Sequence, residues 1–332
     1  RLFLDILFNK QIKNPLEKNL FYIVELKKID FDYVDSIGMT PLLASLVISN
    51  EDLSLHIISN VKESINQQLV TSFTKQIDHF ILFTQKSGPL HMAIFRGFEK
   101  LQHKIIKHPF FDPNVQDQYG STLVQYCINT NHNHLIPLII NHPKYNPALT
   151  DNDSMTDLIY LILNNDFENV KTLLDNALLD VNQALNNGQT PLMICINDNK
   201  KDFLKLILKS NEIFHDLDFF IQNASQQTAL SIALIQKNFD EAILIFQNLS
   251  QINIVDLDTE EFEKYYIEIS KFGLSFSNSF KDEWNLSDNE IKKIDKLLLK
   301  LSDEIKKKTI SDTTLLNAPN IVSGYMHQNT TI

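Results

Sequence analysis

The sequence predicts an all-α array of repeated helix-turn-helix units with long loops, followed by a C-terminal helical cap. Three observations carry that prediction. Thr122, Thr156 and Thr190 each open an apolar segment, and both intervals between them are 34 residues. Gly88 opens a similar segment one further 34-residue step upstream. After each opening comes a second apolar stretch with residues three and four apart, as in Leu101, Ile105 and Ile106, which lie on one helical face. Two short helices cannot bury their apolar faces alone, so such units must stack into a solenoid with a continuous core.

In chain order, residues 1–34 read as a degenerate N-terminal capping repeat, with FYIVELKKIDFDYVD supplying its second helix and the following loop. Repeats then occupy residues 35–249. Thr40 in GMTPLLAS and Thr228 in QQTALSIA extend the series at irregular intervals, 48 residues to Gly88 and 38 from Thr190, which makes six units. The longer interval implies an insertion near residues 61–84, whose apolar end, Phe80 to Phe83, is expected to pack as a helix or an elongated loop. Second helices are marked by Leu135, Leu138 and Ile139, by Val170, Leu173 and Leu174, by Phe203, Leu206 and Ile207, and by Ala242, Ile243 and Phe246.

Beyond Leu249 the period stops, and residues 250–308 read as a helical extension covering the last repeat. Asp258 to Glu261 and Ser287 to Glu290 have the spacing of a capping box, in which two residues three apart satisfy each other's backbone amides. Phe262, Tyr265, Tyr266 and Ile269 follow the first at helical spacing. Ile291, Ile294, Leu298, Leu301 and Ile305 mark the apolar face of the second. Residues 309–332, rich in Ser, Thr and Asn, are expected to form a flexible tail.

The openings of the units have a physical logic. A threonine at the boundary caps free backbone amides, and proline is tolerated at the first helical position because its missing amide would be unpaired there anyway. HPFFDPNVQD at His108 and HPKYNPALTD at His142 lie 34 residues apart and read as the joint between units. Pro109 and Pro143 end a helix, and Asp117 and Asp151 stand five residues before the next threonine.

These residues resemble the ankyrin repeat, whose units of about 33 residues open on Thr-Pro-Leu-His-x-Ala. Gly38-Met39-Thr40-Pro41-Leu42, Pro89-Leu90-His91-Met92-Ala93 and Gly188-Gln189-Thr190-Pro191-Leu192 carry the pattern, and the resemblance covers about residues 5 to 247. Asp157 stands in place of the proline and Leu161 in place of the small alanine. The resemblance implies a non-catalytic scaffold or adaptor that binds another protein or a peptide on its concave surface. That surface comprises the loop tips before each threonine and the exposed side of the first helix. By position it comprises Gln118, Tyr119, Ser121 and Asn129 in one repeat, Asn152, Asp153, Met155 and Asn164 in the next, and Asn186, Asn187, Gln189, Asn197 and Asp198 in the third. The stripe is rich in amides, which offer donors and acceptors without strong charge, and Tyr119 and Met155 are candidate anchors.

Other chemistry is weakly represented. Forty-three per cent hydrophobic and 21% charged residues are the composition of a folded chain. A net charge of -11 argues against nucleic acid as the main ligand. Lys306, Lys307 and Lys308 read as a solvated helix end. The longest apolar run, Leu158 to Leu163, is far short of the roughly 18 residues of a membrane span. Cys127 and Cys195 both fall at the small-residue position of a repeat. Two packed layers, at about 8–10 Å per layer, separate them by more than the roughly 7 Å a disulfide allows. They are expected to be buried free thiols, consistent with a cytoplasmic or nuclear setting.

Ten histidines, His103, His108, His132, His134 and His142 among them, lack any Cys-x-x-Cys companion and read as surface and helix-end residues, not as zinc ligands. Seven glycines, four of them at repeat joints, leave no phosphate-binding loop. Asp151, Asp153, Glu260 and Glu261 are expected to serve turns and caps. The Asn-x-Ser/Thr matches at Asn152, Asn223, Asn248, Asn285 and Asn329 fit chance in an asparagine-rich chain. No cofactor or metal is expected, and oligomeric state is left open. Arg1 in place of methionine predicts a longer parent protein. The competing expectation is a targeting segment of an enzyme-bearing protein, such as a trafficking exchange factor or a bacterial effector, with catalysis outside residues 1–332.

Overall fold

Five of the six repeats begin where a threonine hydroxyl takes over a backbone amide that the helix leaves unpaired. Thr40, Thr122, Thr156, Thr190 and Thr228 each accept a hydrogen bond on Oγ1 from the amide three residues on, at 3.1 to 3.3 Å. At Gly88 no hydroxyl is present. There the His91 ring closes the turn instead, its Nδ1 accepting from the Gly88 amide at 3.3 Å. These contacts come from a computed structural model that describes residues 30–70, 73–74, 82–83, 86–176, 178–214, 217–253, 256–278 and 286–311. Most of the expected capping repeat and the tail beyond Ser311 lie outside the described residues.

Helices dominate. The chain divides into two compact units, Arg1–Leu179 and Asp180–Ile332. The first holds four helix pairs, α1 (Pro41–Val47) with α2 (Glu51–Ile57), α3 (Pro89–Arg96) with α4 (Glu99–Ile106), α5 (Leu123–Asn129) with α6 (Ile136–Ile140), and α7 (Asp157–Leu163) with α8 (Phe167–Leu174). First helices pack on first helices (α1 on α3, α3 on α5, α5 on α7), and α2 packs on α4 and α6 on α8. The second unit repeats the scheme with α9 (Pro191–Asn197) and α10 (Lys201–Phe214), then α11 (Ala229–Ile235) and α12 (Phe239–Leu249). Two longer helices follow, α13 (Thr259–Asn278) and α14 (Asp288–Ser311). Helix α14 thus runs three residues into the stretch expected to be tail.

The first non-repeat helix joins the second unit through aromatic packing. Helix α13 lies against α11 and α12, and the Phe246 and Phe272 rings stack with centroids 3.9 Å apart. Both capping boxes form. Asp258 and Glu261 exchange backbone-to-carboxylate bonds at 2.9 and 3.0 Å, and Glu290 accepts from the Ser287 amide at 2.9 Å. Phe262, Tyr265, Tyr266 and Ile269 are buried, as are Ile291, Ile294, Leu298, Leu301 and Ile305.

Among the described residues of the expected insertion, the chain makes a 3-10 turn at Glu63–Asn66 and an antiparallel pair of two-residue strands, β1 (Phe73–Thr74) and β2 (Leu82–Phe83), with Phe73 opposite Phe83. The apolar segment ending at Phe83 is therefore strand over its described part, not helix. Four apolar residues are too few for a helix, and aromatic and branched side chains favour extended backbone.

Backbone chirality sets the period more sharply than any side chain. All the left-handed residues among those described, eight non-glycines and four glycines, fall at two positions of the unit. Gly38, Lys86, Gly120, Ser154, Gly188 and Gln226 stand two before the opening residue. Ser49, Gly97, Asn131, Asn165, Asn199 and Lys237 stand nine after it, in the turn between the paired helices. A Cβ on Gly38 would lie 2.6 Å from the Gln68 carbonyl oxygen, so that joint requires glycine for space as well as for its φ of 82°. The 48-residue interval disturbs neither position, so the insertion adds chain without altering the unit.

Candidate functional site

The loop tips are held rigid by side chains that the sequence places five residues before the threonine. Asp117 Oδ1 accepts from the amides of Tyr119 and Ser121 at 2.8 and 2.9 Å, and Asp151 Oδ1 does the same for Asp153 and Met155 at 2.9 Å each. Asp35 and Asn223 repeat the arrangement at Ile37 and Met39 and at Ser225 and Gln227. This is the Asx turn, a carboxyl or carboxamide oxygen mimicking a backbone acceptor. In the Thr190 unit Leu185 occupies that position, and Asn187 substitutes for it by accepting from the Gln189 amide at 3.0 Å. Turn-forming duty thus accounts for Asp151, as its spacing implied.

Adjacent tips are tied by main-chain bonds. The Asn152 amide donates to the Tyr119 carbonyl at 3.1 Å, which brings two of the expected contact residues together. In the second unit the Ala224 amide donates to the Asn187 carbonyl at 2.8 Å. A second set of ties lies behind the tips, where asparagines clamp the following loop. Asn66 donates to the Phe110 carbonyl and accepts from the Asp112 amide at 2.7 and 2.8 Å. Asn114 does so with Lys144 and Asn146 at the same distances, and Asn182 accepts from Asp218 at 2.8 Å. Reading for apolar period missed these residues, although Asn114 and Asn182 are two periods apart.

Side chains at the tips then project from a fixed base. Tyr119 is 62% exposed, Asn152, Asp153, Asn186 and Asn187 are exposed, and Gln118, Ser121, Met155 and Gln189 are half-buried. Along the first helices the expected contacts are partly committed to neighbours. Asn129 Oδ1 accepts from the Tyr160 hydroxyl at 2.7 Å, and Asn197 Oδ1 from Gln236 Nε2 at 2.7 Å. Asn164 donates to the Tyr160 carbonyl of its own helix at 2.8 Å, and Asp198 is exposed at the end of α9. Tyr160 and Gln236 therefore belong to this surface, and neither was legible from position alone. Phe95, 53% exposed at the end of α3, adds an aromatic side chain to it.

Beneath the surface lie groups whose burial determines their chemistry. Asp157, at the first position of α7, is buried and accepts from the Thr122 hydroxyl at 2.5 Å and the Tyr145 hydroxyl at 2.6 Å. Desolvation raises its pKa to about 6, against the lowering effect of those two bonds. Burial and the neighbouring Asp157 push the Tyr145 hydroxyl up as well. His91 is buried, and desolvation lowers its pKa to about 4, with Asp117 opposing. One of the ten histidines is thus core, unlike the surface residues expected. Cys127 and Cys195 are buried free thiols, as their position implied, and burial raises both to about 12, well away from the reactive thiolate range.

Among the described residues no group of three or more His, Cys, Asp or Glu side chains has the geometry to hold a metal ion. Nor is any described helix long and apolar enough to cross a membrane.

A family model described as ankyrin repeats (three copies) matches residues 90–184. Residues 90–184 are ankyrin repeats. Solved structures similar to this chain include an ankyrin repeat protein at 20% identity and TM-score 0.46, covering 66% of this chain and 100% of the other. The ankyrin repeat domain of Bcl-3, a member of the IkappaB family, is 14% identical with a TM-score of 0.49, covering 74% and 97%. An ankyrin repeat domain from Acinetobacter baumannii is 19% identical with a TM-score of 0.47, covering 63% and 97%. No curated protein sequence matches the chain. Ankyrin repeats are, in general, non-catalytic protein-protein interaction modules.

Proposed function

We propose that this chain is a scaffold or adaptor that captures a protein or peptide through the loop tips and first-helix faces of its repeats. One observation carries the reading. Tyr119, a large amphipathic side chain, stands 62% exposed on a tip whose backbone is locked by two bonds to Asp117 and one to Asn152. A rigid, solvent-facing tyrosine loses little entropy on binding and presents a large contact area with a polar end. Gln118, Asn152, Asp153 and Met155 surround it in sequence on the same and the adjoining tip. In the second unit Asn186, Asn187 and Gln189 occupy the equivalent loop.

The partner is read by hydrogen bonds from amides around an aromatic anchor. Asn129 and Asn197 contribute mainly through their amide nitrogens, because Tyr160 and Gln236 occupy their oxygens. Catalysis is no part of the role, nucleic acid is not the main ligand, and a reducing compartment such as the cytoplasm suits the two buried free thiols. The test is affinity capture with mass spectrometry on the full chain and on a variant in which Tyr119, Asn152 and Asn186 are all changed to Ala. The expected outcome is loss of captured partners with an unchanged thermal midpoint. Retention of the same partners by the triple variant sinks the reading.

A further inference from the structure

Helix α14 carries a charged face that the fold does not use. One side of the helix buries Ile291, Ile294, Leu298, Leu301 and Ile305. The opposite side exposes Lys292, Lys293, Lys296, Lys300, Lys306 and Lys307. At 3.6 residues per turn these six fall on an arc of about 140° and span about 22 Å of helix. Lys308 behaves differently. Its ammonium lies 5.2 Å from the Phe262 ring centroid and donates to the Leu257 carbonyl, so the helix end read as solvated is in part a packing contact.

The lysine face runs against the character of the chain. Net charge is -11, yet seven of the 30 basic residues lie between positions 292 and 308. Lys300 pairs with Glu304 at 3.5 Å, and Lys293 helps hold the Glu290 carboxyl below its usual range after the bonds from Ser287. Lys292, Lys296, Lys306 and Lys307 make no ion pair among the described residues. Like charges three and four apart on a helix repel, and the Lys300–Glu304 pair and the carboxylates of Asp295 and Asp303 offset that repulsion only in part, six lysines standing against three acids. At its middle stand Leu299, 53% exposed, and the exposed carboxylate of Asp303.

We propose that the exposed face of α14 docks an acidic protein segment, with an apolar side chain of that segment seated on Leu299. Charge complementarity selects an acidic partner. The exposed leucine and the carboxylate interrupting the lysines select a protein chain over a phosphate backbone, which has no use for either. Insertion into a membrane is disfavoured because the apolar face of the helix is already buried within its own unit. This surface is separate from the loop-tip stripe and does not depend on it.

The probe is a fluorescein-labelled 16-residue helical peptide with glutamates on one face and a single central leucine, titrated by anisotropy against residues 1–332. Expected binding is on the order of 10 µM and weakens about tenfold between low and moderate salt. The variant with Lys296→Glu, Lys300→Glu and Lys307→Glu should bind about tenfold or more weakly, and Leu299→Ser about fivefold more weakly. Both should stay folded with thermal midpoints within a few degrees of wild type, since the replaced side chains are exposed. Equal binding by wild type and triple variant overturns the proposal. So does failure to bind the peptide, including the case in which a DNA duplex or phosphatidylserine vesicles bind in its place through the same lysines.

Discussion

In the unit Arg1–Leu179 the hydroxyl of Thr122 donates to a buried carboxylate, Asp157, whose other oxygen accepts from the Tyr145 hydroxyl. Thr228, in Asp180–Ile332, donates at 2.7 Å to the buried carboxylate of Glu268, whose other oxygen holds Lys271 Nζ at 2.8 Å. One carboxylate comes from the next repeat and the other from the non-repeat helix α13. Each satisfies a capping threonine hydroxyl, and Thr228 has the Ser231 hydroxyl at 3.1 Å as a second partner. What differs is the charge balance: two neutral donors in one place, a hydroxyl and a half-exposed ammonium in the other. At these two joints the threonine hydroxyl meets a carboxylate of the element stacked next, and a repeat or an unrelated helix can supply it.

Removing the acceptor in the first unit tests this most severely. Asp157→Leu strands the Thr122 and Tyr145 hydroxyls in the core and is expected to cost about 3–5 kcal/mol in urea unfolding. A loss below about 1 kcal/mol would show that the two hydroxyls find other partners.

A pH series separates the roles of charge and hydrogen bonding. Asp157 is raised from 3.8 to about 6, so its contribution to stability is full below pH 3.8 and disappears as pH rises through about 6. His91 is lowered from 6.5 to about 4, so its contribution is full above pH 6.5 and is lost as pH falls through about 4. Each amounts to about 3 kcal/mol, and they oppose one another between pH 4 and 6.5. Wild-type urea midpoints should therefore change little across that window. Asp157→Asn should become less stable on acidification, and His91→Asn less stable on alkalinisation. Parallel curves for the three proteins would refute the opposition.

The second unit should respond less. Glu268→Gln keeps an acceptor for Thr228 but loses the ion pair, and an expected cost of about 1–2 kcal/mol should appear as faster amide exchange across α13. Lys271, being 38% exposed, contributes less, and Lys271→Met should cost under about 1 kcal/mol. A larger effect from the lysine than from the glutamate would reverse the order of importance argued here.

Periodicity made much of this fold legible. The 34-residue step located the helix pairs, the capping threonines and the two buried thiols, because all of them recur in register with apolar packing. Residues that act once escaped. Asp157 is a carboxylate where other units have proline, alanine or leucine, and its partner Tyr145 lies in a loop 12 residues upstream. Glu268 sits in a helix outside the repeat and is buried against an element 40 residues earlier. The strands at Phe73 and Leu82 depend on pairing across an insertion that has no counterpart in other units. At the candidate surface, position identified the exposed tips, but a side chain's neighbour is set by packing between repeats. For that reason Asn129 and Asn197 proved to be partly engaged while Tyr160 and Gln236 went unnoticed.

The paired left-handed residues have a further consequence. Every unit enters and leaves its first helix through the same two backbone states, whichever amino acids occupy them. At the level of the backbone, excising residues 122–155 would join Ser121 to Thr156, each meeting a neighbour in the conformation it already has, while the buried Asp157 would lose both of its hydroxyl donors, Thr122 and Tyr145. The chain can therefore be lengthened or shortened by one whole period without inventing a new turn, so that copy number is open to change by duplication and deletion while the joint itself is inherited intact.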